Sequence, residues 1–370
     1  MNQKHLFFTF LLIVSIIVSG CGPSAEQAAT MTVAGWTAIP LPTTTPLSTA
    51  TPLPTIPSHL FLGAGTNLAG ADFGDSVLPG TFGSDYTYPD AGEVDTFTAK
   101  GMRVFRLPFR WERLQQAQLA EFDVAEQMRM DTVVNYATGK GAYVLLDPHN
   151  FARYYGNIIG QSVVPVTAFT DFWSRLAAHY RNNDRVIFGL MNEPNTMSTE
   201  LWISDANAAI TAIRATGATN LILVPGNDWS GAADWGKNWY GTPNAIAMLS
   251  IKDSGNNYAY EVHQYLDSDG SGTHDACVSA TIGSQRLAFL TSWLRNHHKR
   301  AFLGEFGAST NATCLAALDD LLTHLDKNSD VFLGWTYWAA GPWWGDYFLS
   351  IEPVNGVDRP QMTVLSRHLP

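Results

Sequence analysis

Residues 186–195 read VIFGLMNEPN, an apolar run that ends abruptly in an amide, a carboxylic acid and a proline. The apolar run predicts a buried strand, and Pro194 would end it because proline has no N–H to continue a hydrogen-bond ladder. An ionised Glu193 in such a place is costly unless something nearby needs it. The segment therefore predicts a strand that delivers a carboxyl group to a site at its C-terminal end.

The same pattern, an apolar strand that becomes polar at its end, recurs along the chain after residue 58. Amphipathic segments such as residues 166–183 and 280–300 separate these strands and predict helices. Eight strands that alternate with helices over residues 59–370 predict an α/β fold of the (β/α)8 TIM-barrel type. The predicted strands begin at Phe61, Met102, Gly141, Val186, Leu221, Tyr258, Ala301 and Val331.

The polar residues of these strands are concentrated at the strand ends. In a (β/α)8 barrel all strand C-termini open onto one face, which is where active sites are found. An open doubly wound sheet is the alternative fold, but it would not explain why nearly every strand ends in polar side chains. In addition, no Gly-rich phosphate loop follows the first strand. The residues expected to converge are Asn67, Arg106, His149 with Asn150, Asn192 with Glu193, Asn227 with Asp228, His263 with Tyr265, Glu305 and Trp338.

Glu193 in MNEP and Glu305 in LGEFG are interpreted as the only pair of strand-end acids in otherwise apolar surroundings. Glycoside hydrolysis needs two such carboxyls, one protonated to donate to the leaving oxygen and one ionised to attack the anomeric carbon. A separation of about 5 to 5.5 Å would predict a retaining mechanism through a glycosyl–enzyme ester. We expect Arg106 and Tyr265 to stabilise the Glu305 anion, and that anion to raise the pKa of Glu193.

The strand ends and their loops resemble those of glycoside hydrolase family 5, and specifically of its fungal-type endoglucanase subfamily. The resemblance runs from residue 63 to the C-terminus, through RLPFRWE, DPHNFARYYGNIIGQ, FGLMNEPN, VPGNDW, VHQYLDSDGSGTH, LGEFG and YWAAG. It implies that Glu193 is the general acid/base and that Glu305 is the nucleophile. It also implies that the subsite for the reacting sugar contains Arg106, His149, Asn192, His263, Tyr265 and Trp338.

The expected function is that of a retaining endo-β-1,4-glucanase, a cellulase that cleaves internal bonds of cellulose or related β-glucans. A mannanase or xyloglucanase on the same scaffold is an alternative, since loop shape decides which sugars are accepted. A catalytically inactive, polysaccharide-binding surface protein is a further alternative, but such a protein has no use for a paired acid. Aromatic residues that could stack sugars along a cleft are Tyr154, Tyr155, Trp229, Trp235, Trp239, Tyr240, Trp343 and Trp344.

Composition and charge favour a neutral partner over a nucleic acid. The chain has a formal net charge of -11 and a pI near 5.3, whereas phosphate binding needs clustered Lys and Arg. No HExxH or CxxC spacing occurs, and the acidic loop that begins at Asp267 has Val278 where a calcium loop needs a bidentate Glu. We therefore interpret that loop as a turn and expect a monomer without metal or cofactor.

The first 58 residues are expected to export and tether the protein. Residues 1–21 combine a basic start, an apolar run over residues 6–18 and small residues before Cys21, and they resemble a bacterial lipoprotein signal peptide. Cys21 would then carry a lipid anchor that holds the protein to a cell membrane outside the cytoplasm, while an ordinary secretory signal is the alternative. Residues 22–58, rich in Pro and Thr, predict an extended tether to a catalytic domain at residues 59–370.

Cys277 and Cys314 are the remaining cysteines, an even pair in a compartment that permits disulfides. We predict that they are bridged, which would restrict the unfolded chain by roughly 4 kcal/mol. The family resemblance, through GTHDAC and ATC, implies the same bridge.

Overall fold

Eight parallel strands close into a barrel in the computed structural model, which describes residues 62–370. In chain order they are β1 Gly63–Leu68, β2 Val104–Phe109, β3 Tyr143–Pro148, β4 Val186–Gly189, β5 Ile222–Pro225, β6 Tyr258–His263, β7 Ala301–Glu305 and β8 Phe332–Ala340. Each strand pairs with its neighbours in chain order, and β8 pairs with β1 to close the barrel. The predicted (β/α)8 barrel and its eight strands are confirmed.

Helices follow the strands and pack around the barrel. They are α1 Ala91–Ala99, α2 Trp111–Leu114, α3 Val124–Gly139, α4 Val166–Tyr180, α5 Thr199–Ala215, α6 Asn244–Ala247, α7 Ile282–Asn296, α8 Ala312–Lys327 and α9 Gln361–Leu365. Short 3-10 helices follow α6 and α9, and a small hairpin pairs Arg153–Tyr154 with Asn157–Ile158. Within residues 62–370, no helix is both long and apolar enough to cross a bilayer.

Side chains inside the barrel change from apolar to charged along the strands. The apolar layer, near the N-terminal strand ends, consists of Leu62, Val104, Leu145, Ile187, Leu221, Leu223, Ala259, Phe302 and Leu333. Two residues further along β2, β3 and β6 lie Arg106, Asp147 and Glu261, all fully buried. They point to the same side as the apolar residues because side chains alternate across a strand. We call the buried ionisable residues above the apolar base the charged layer.

Side-chain caps fix where several helices begin. Asp90 accepts hydrogen bonds from the backbone N–H groups of Gly92 and Glu93, and Glu93 accepts one from the Asp90 N–H, which forms a capping box before α1. Asp123 and Ser198 cap α3 and α5 through one backbone N–H each. Each cap fixes the first residue of a helix. It therefore also fixes where the preceding loop, which runs from a strand to that helix at the C-terminal face of the barrel, ends.

The N-terminal predictions lie outside the described residues. These are the signal peptide at residues 1–21 with its lipid-modified Cys21, the tether at residues 22–58 and the exact start of the catalytic domain. Among the described residues, Cys277 and Cys314 form the predicted disulfide, with Cα atoms 5.2 Å apart. The bridge joins the loop after β6 to the first turn of α8, beside the C-terminal face.

Asp205 on α5 is a buried acid whose surroundings do not support a charge. Its residue is 2% exposed, and its Oδ2 has no hydrogen-bond partner among the described residues. Gly160 faces it so closely that a Cβ there would overlap the carboxylate. Burial raises the pKa of Asp205 to about 7. The folded protein therefore keeps this carboxyl protonated at acidic pH and must bury an anion at alkaline pH.

We expect Asp205→Asn to stabilise the fold at alkaline pH. Because the folded-state pKa of about 7 lies above the unfolded value of about 4, the wild type loses stability as pH rises between them, by on the order of 3 kcal/mol. A neutral amide has no such loss. Thermal unfolding at about pH 4.5 and about pH 8 checks this, with Asp184→Asn, an exposed acid, as the control. A Tm difference that is the same at both pH values would contradict the prediction.

Candidate active site

Arg106 on β2 lies at the centre of the charged layer and connects β2 to five other strand ends. Its partners are Asn67, Asp147, Asn192, Glu261 and Glu305, at 2.7 to 3.0 Å. The guanidinium is fully buried, so these contacts replace the water that it loses. The planar group, which has five N–H donors, thereby fixes the relative positions of side chains from opposite sides of the barrel.

Glu305, at the end of β7, is held as an anion. Its Oε1 accepts a hydrogen bond from Arg106 Nη1 at 2.7 Å, and its Oε2 accepts one from the Tyr265 hydroxyl at 2.8 Å. Burial alone would raise the pKa of Glu305, but the positive charges of His263 and Arg106, with the Tyr265 hydrogen bond, lower it to about 2. The carboxylate is therefore ionised at neutral pH and is chemically suited to nucleophilic attack.

Glu193, in the loop after β4, faces Glu305, and its pKa is displaced in the opposite direction. Its Oε1 lies 2.7 Å from Nδ1 of His263. Burial raises the pKa of Glu193, and the Glu305 anion adds to this, although the hydrogen bond with His263 acts against it. An oxygen of Glu193 lies within 4.8 Å of an oxygen of Glu305. Two facing carboxyls with pKa values displaced in opposite directions can serve as acid and nucleophile.

Two histidines balance the charges of this layer. Nδ1 of His149 lies 2.8 Å from Asp147, and this contact raises the pKa of His149 although burial opposes it. Burial also opposes charge on His263, but Glu305 and the hydrogen bonds to Glu193 and Glu261 raise its pKa to about 10. Three groups that favour positive charge, Arg106, His149 and His263, thus face the carboxylates of Asp147, Glu261 and Glu305. An ionised Glu193 would add a further negative charge to this layer, in agreement with the upward displacement of its pKa.

The six residues predicted to hold the reacting sugar lie together around the two glutamates. The amide nitrogen of Asn192 lies 3.2 Å from Nε2 of His149, and its oxygen accepts a hydrogen bond from Arg106. The ring of His149 stacks on Trp338, with centroids 5.4 Å apart and planes 18° apart. The Trp338 ring is thereby packed against a histidine that itself contacts Asp147.

A family model described as Cellulase (glycosyl hydrolase family 5) matches residues 64–341 of the chain. The chain belongs to glycosyl hydrolase family 5. Endo-beta-1,4-glucanase A of Emericella nidulans is 46% identical over 300 residues, which cover 80% of this chain and 89% of that protein. The family resemblance inferred from the sequence motifs is confirmed, and the relatives include fungal endoglucanases.

Solved structures of this family have the same fold. An endo-beta-1,4-glucanase from Xanthomonas axonopodis pv. citri is 47% identical and has a TM-score of 0.81, covering 83% of this chain and 99% of that chain. The protein XacCel5A, solved in complex with cellopentaose, is also 47% identical, with a TM-score of 0.82, covering 84% of this chain and 100% of that chain.

Two acids of this family 5 site, Asp147 and Glu261, are not predicted by the pattern of polar residues at the strand ends. The expectation that Glu193 and Glu305 are the only such acids is incomplete, because both additional residues are fully buried in the charged layer. A signal exists in the sequence: each of the two acids precedes a site histidine by two residues and so lies on the same side of its strand. An acid at that position inside a predicted barrel indicates a partner for a buried cation.

Glycines beside the two catalytic motifs make room for Glu261. A Cβ at Gly304 would overlap the Glu261 carboxylate, and one at Gly189 would lie 3.2 Å from Glu261 Oε2. The close approach of Glu261 therefore explains Gly304, and at Gly189 it adds to the crowding by Leu145 and Leu146.

Two strand-end amides have structural roles instead of contacting the reaction centre. Asn150 donates to Glu112 at 2.7 Å and accepts from the backbone N–H of Trp111. Asn227 donates to the carbonyl oxygen of Met197 at 2.8 Å. Both amides tie neighbouring loops together, so the prediction that every strand-end polar residue converges on one site is wrong for these two.

A cavity of about 830 Å³ opens beside Glu193, His263 and Tyr265. Its walls are formed by the loop after β5, within residues 228–240, and by the loop after β6, within residues 268–273. The second loop contains the acidic DSDGSG segment. We refer to this space as the acid-side cleft, because Glu193 lines it and Glu305 is not among its lining residues.

Asp267 closes the acidic loop as a turn. Its buried carboxylate accepts hydrogen bonds from the backbone N–H groups of Gly272 and His274, at 3.0 and 3.2 Å. Arg286 donates to the carbonyl oxygen of Asp267 at 2.6 Å and thereby attaches the loop to α7. The interpretation of this segment as a turn is confirmed.

The predicted cleft aromatics differ in exposure, and Tyr240 and Trp344 are half-buried. Those exposed by 40 to 59% are Tyr155, Trp229, Trp239 and Trp343. Trp235 is fully buried against Tyr260 and Trp293, and Tyr154 is buried against Trp111. The prediction that Trp235 and Tyr154 stack sugars is therefore wrong, because both rings fill the layer outside the barrel. Trp343 and Trp344 line a separate cavity of about 380 Å³ after β8.

Proposed function

We propose that this chain is a retaining endo-β-1,4-glucanase in which Glu305 is the nucleophile and Glu193 is the general acid/base. The observation that carries the proposal is the approach of their carboxylate oxygens to within 4.8 Å. Retaining hydrolases hold the two carboxyls about 5 to 5.5 Å apart, whereas inverting ones need about 6.5 to 9.5 Å to admit a water. The short separation supports direct attack by Glu305.

In the first step, the Glu305 carboxylate bonds to the anomeric carbon as the glycosidic C–O bond breaks. Glu193 gives its proton to the departing oxygen, so a free sugar hydroxyl leaves and a glycosyl ester remains. In the second step, Glu193 takes a proton from water, the water oxygen attacks the anomeric carbon, and Glu305 departs as a carboxylate. Both glutamates are then restored.

His263 lies close to both carboxyl groups whose charges change during the first step. Its Nδ1 is 2.7 Å from Glu193 and 3.7 Å from Glu305. Formation of the ester neutralises Glu305 at the moment when Glu193 becomes an anion, so the total charge of the layer does not change. An imidazolium between the two carboxyls stabilises the negative charge at either place, without reorganisation of solvent.

The substrate assignment is supported by the relatives and by the shape of the site. The Emericella and Xanthomonas relatives are named endo-beta-1,4-glucanases, and XacCel5A was solved with cellopentaose. The exposed aromatic rings beside the catalytic pair suit the flat apolar faces of successive glucosyl units. A mannanase or xyloglucanase would use the same catalytic pair with different loop contacts.

Hydrolysis of soluble β-1,4-glucan, mannan and xyloglucan by the purified protein tests this proposal. We expect internal cleavage of β-1,4-glucan, with the β anomer released first in the proton NMR spectrum. Initial release of the α anomer would overturn the retaining mechanism. A preference for mannan or xyloglucan would overturn the substrate assignment only, and binding without turnover would favour an inactive binding protein.

We further propose that the protein works outside the cytoplasm on a lipid anchor at Cys21. The signal-like residues 1–21 and the Pro/Thr-rich residues 22–58 support this, and so does the Cys277–Cys314 disulfide. In a bacterial host, Cys21→Ala in the full chain should move the enzyme from the membrane fraction to the soluble fraction. An identical distribution of both proteins would overturn the anchor.

A further inference from the structure

The loop after β5 contains a turn of three consecutive residues in the left-handed backbone region. Asp228, Trp229 and Ser230 have φ values of +59°, +51° and +56°. Residues other than glycine rarely adopt this conformation, and it persists only where the surroundings impose it. A run of three requires strong local support.

The support comes from the backbone around the acid/base and His263. The N–H of Trp229 donates to the carbonyl oxygen of Pro194 at 3.1 Å, directly after Glu193 in the chain. The N–H of His263 donates to the carbonyl oxygen of Ser230, and the N–H of Ala232 donates to that of His263, both at 3.0 Å. The turn is thus fixed to the reaction centre from two sides.

The turn places Asp228 in the wall of the acid-side cleft, and one of its two carboxylate oxygens lacks a hydrogen-bond partner among the described residues. This oxygen, Oδ2, is buried. Lys237, the nearby cation, pairs with Asp234 at 2.5 Å. Burial raises the pKa of Asp228 to about 6, and the charge of Asp234 adds to this. A buried acceptor in this state is costly until a donor reaches it.

We propose that Asp228 accepts a hydrogen bond from a hydroxyl of the sugar that departs with the leaving oxygen, and so determines preference for a sugar leaving group. This inference rests on the proposed function. Glu193 protonates the leaving oxygen, and the cleft that it lines is the one that contains Asp228. Trp229 and Tyr240 line the same cleft with ring centroids 6.1 Å apart. Aromatic faces beside a hydrogen-bond acceptor are the features that a sugar ring requires.

Two substitutions remove the carboxylate without disturbing the backbone. Asp228→Gly is suitable because glycine adopts positive φ freely, and Asp228→Asn because asparagine tolerates the left-handed region. The kcat/KM values of both variants are measured on cellopentaose, whose leaving group is a sugar, and on an aryl β-cellobioside, whose activated phenol leaving group has no sugar hydroxyls.

We expect Asp228→Gly to lower kcat/KM on cellopentaose by about tenfold to hundredfold, the range for one charge-assisted hydrogen bond, with a smaller loss for Asp228→Asn. The value on the aryl substrate should stay within about twofold. The matched control is Asp184→Asn, which removes one exposed negative charge before β4, at the opposite end of the barrel. It should change neither value.

The outcomes separate the possible failures. Unchanged kcat/KM on cellopentaose, or an equal loss on both substrates, would overturn the role of Asp228, since an equal loss would mean that the turn only supports the catalytic pair. Failure of the wild type to hydrolyse either substrate would overturn the proposed function itself. Tm values of the variants, measured in parallel, identify any loss that comes from unfolding.

Discussion

Glu305→Gln is expected to lower kcat on β-1,4-glucan by about 10⁴-fold or more, because an amide cannot form the glycosyl ester. The side chain keeps its shape and its contact with Tyr265, so the fold should persist. A 2-deoxy-2-fluoro cellobioside with a good leaving group provides the direct measurement. The wild type should gain the mass of the fluorosugar, which a peptide map places on Glu305, and the variant should gain none.

Two outcomes would remove Glu305 from the role of nucleophile. One is a variant that keeps more than about a tenth of the wild-type kcat, measured beside Asp184→Asn to correct for the change in net charge. The other is a fluorosugar label on any other residue. Circular dichroism and Tm of the variant show whether the residual activity belongs to a folded protein.

Glu193→Gln should have an effect that depends on the leaving group. With β-1,4-glucan, kcat/KM should fall by about 10² to 10⁴-fold, because the sugar leaves without a proton. With an activated aryl cellobioside, kcat/KM should change little while kcat falls, since the ester then lacks a base to activate water. Azide, which needs no base, should restore kcat and give the β-glycosyl azide. Equal losses on both substrates without azide rescue would contradict this role for Glu193.

The pH dependence of the wild type follows from the same two residues. Activity requires ionised Glu305, whose pKa is lowered to about 2, so that requirement is met throughout the mildly acidic range. It also requires protonated Glu193, and activity should decline as pH rises through the raised pKa of this residue. In the Glu193→Gln variant, the residual kcat/KM on β-1,4-glucan should lack that alkaline decline. Its persistence would assign the decline to another group.

The barrel and the pair of facing glutamates could be predicted from the sequence because both depend on local pattern. Each strand is a short apolar run, and Glu193 and Glu305 follow such runs directly. The contacts of Arg106 and Tyr265 with Glu305 also follow, since a closed barrel brings all strand ends to one rim. These predictions need only the order of the strands and the face on which they end.

The features that could not be predicted from the sequence depend on side-chain orientation and on backbone dihedral angles. Trp235 and Trp239 lie in the same loop, yet one ring turns into the protein and the other is 59% exposed. The left-handed turn at Asp228 cannot be predicted from its sequence, because Gly, Asn and Asp are the usual signs of positive φ, whereas Trp229 and Ser230 are not. Such details are fixed by tertiary hydrogen bonds, such as the one from Trp229 to Pro194.

The five contacts of Arg106 have a consequence for how this enzyme can be altered. All its partners lie on strands or, for Asn192, just after one, and the loop after β8, which contains Trp343 and Trp344, contributes none of them. The loop after β8 can therefore be lengthened, shortened or exchanged between relatives while the contacts of Arg106 are kept. The loops after β5 and β6 differ in this respect, because their residues bond to His263 and Glu305, so directed evolution of the cleft can begin at the loop after β8 without rebuilding the reaction centre.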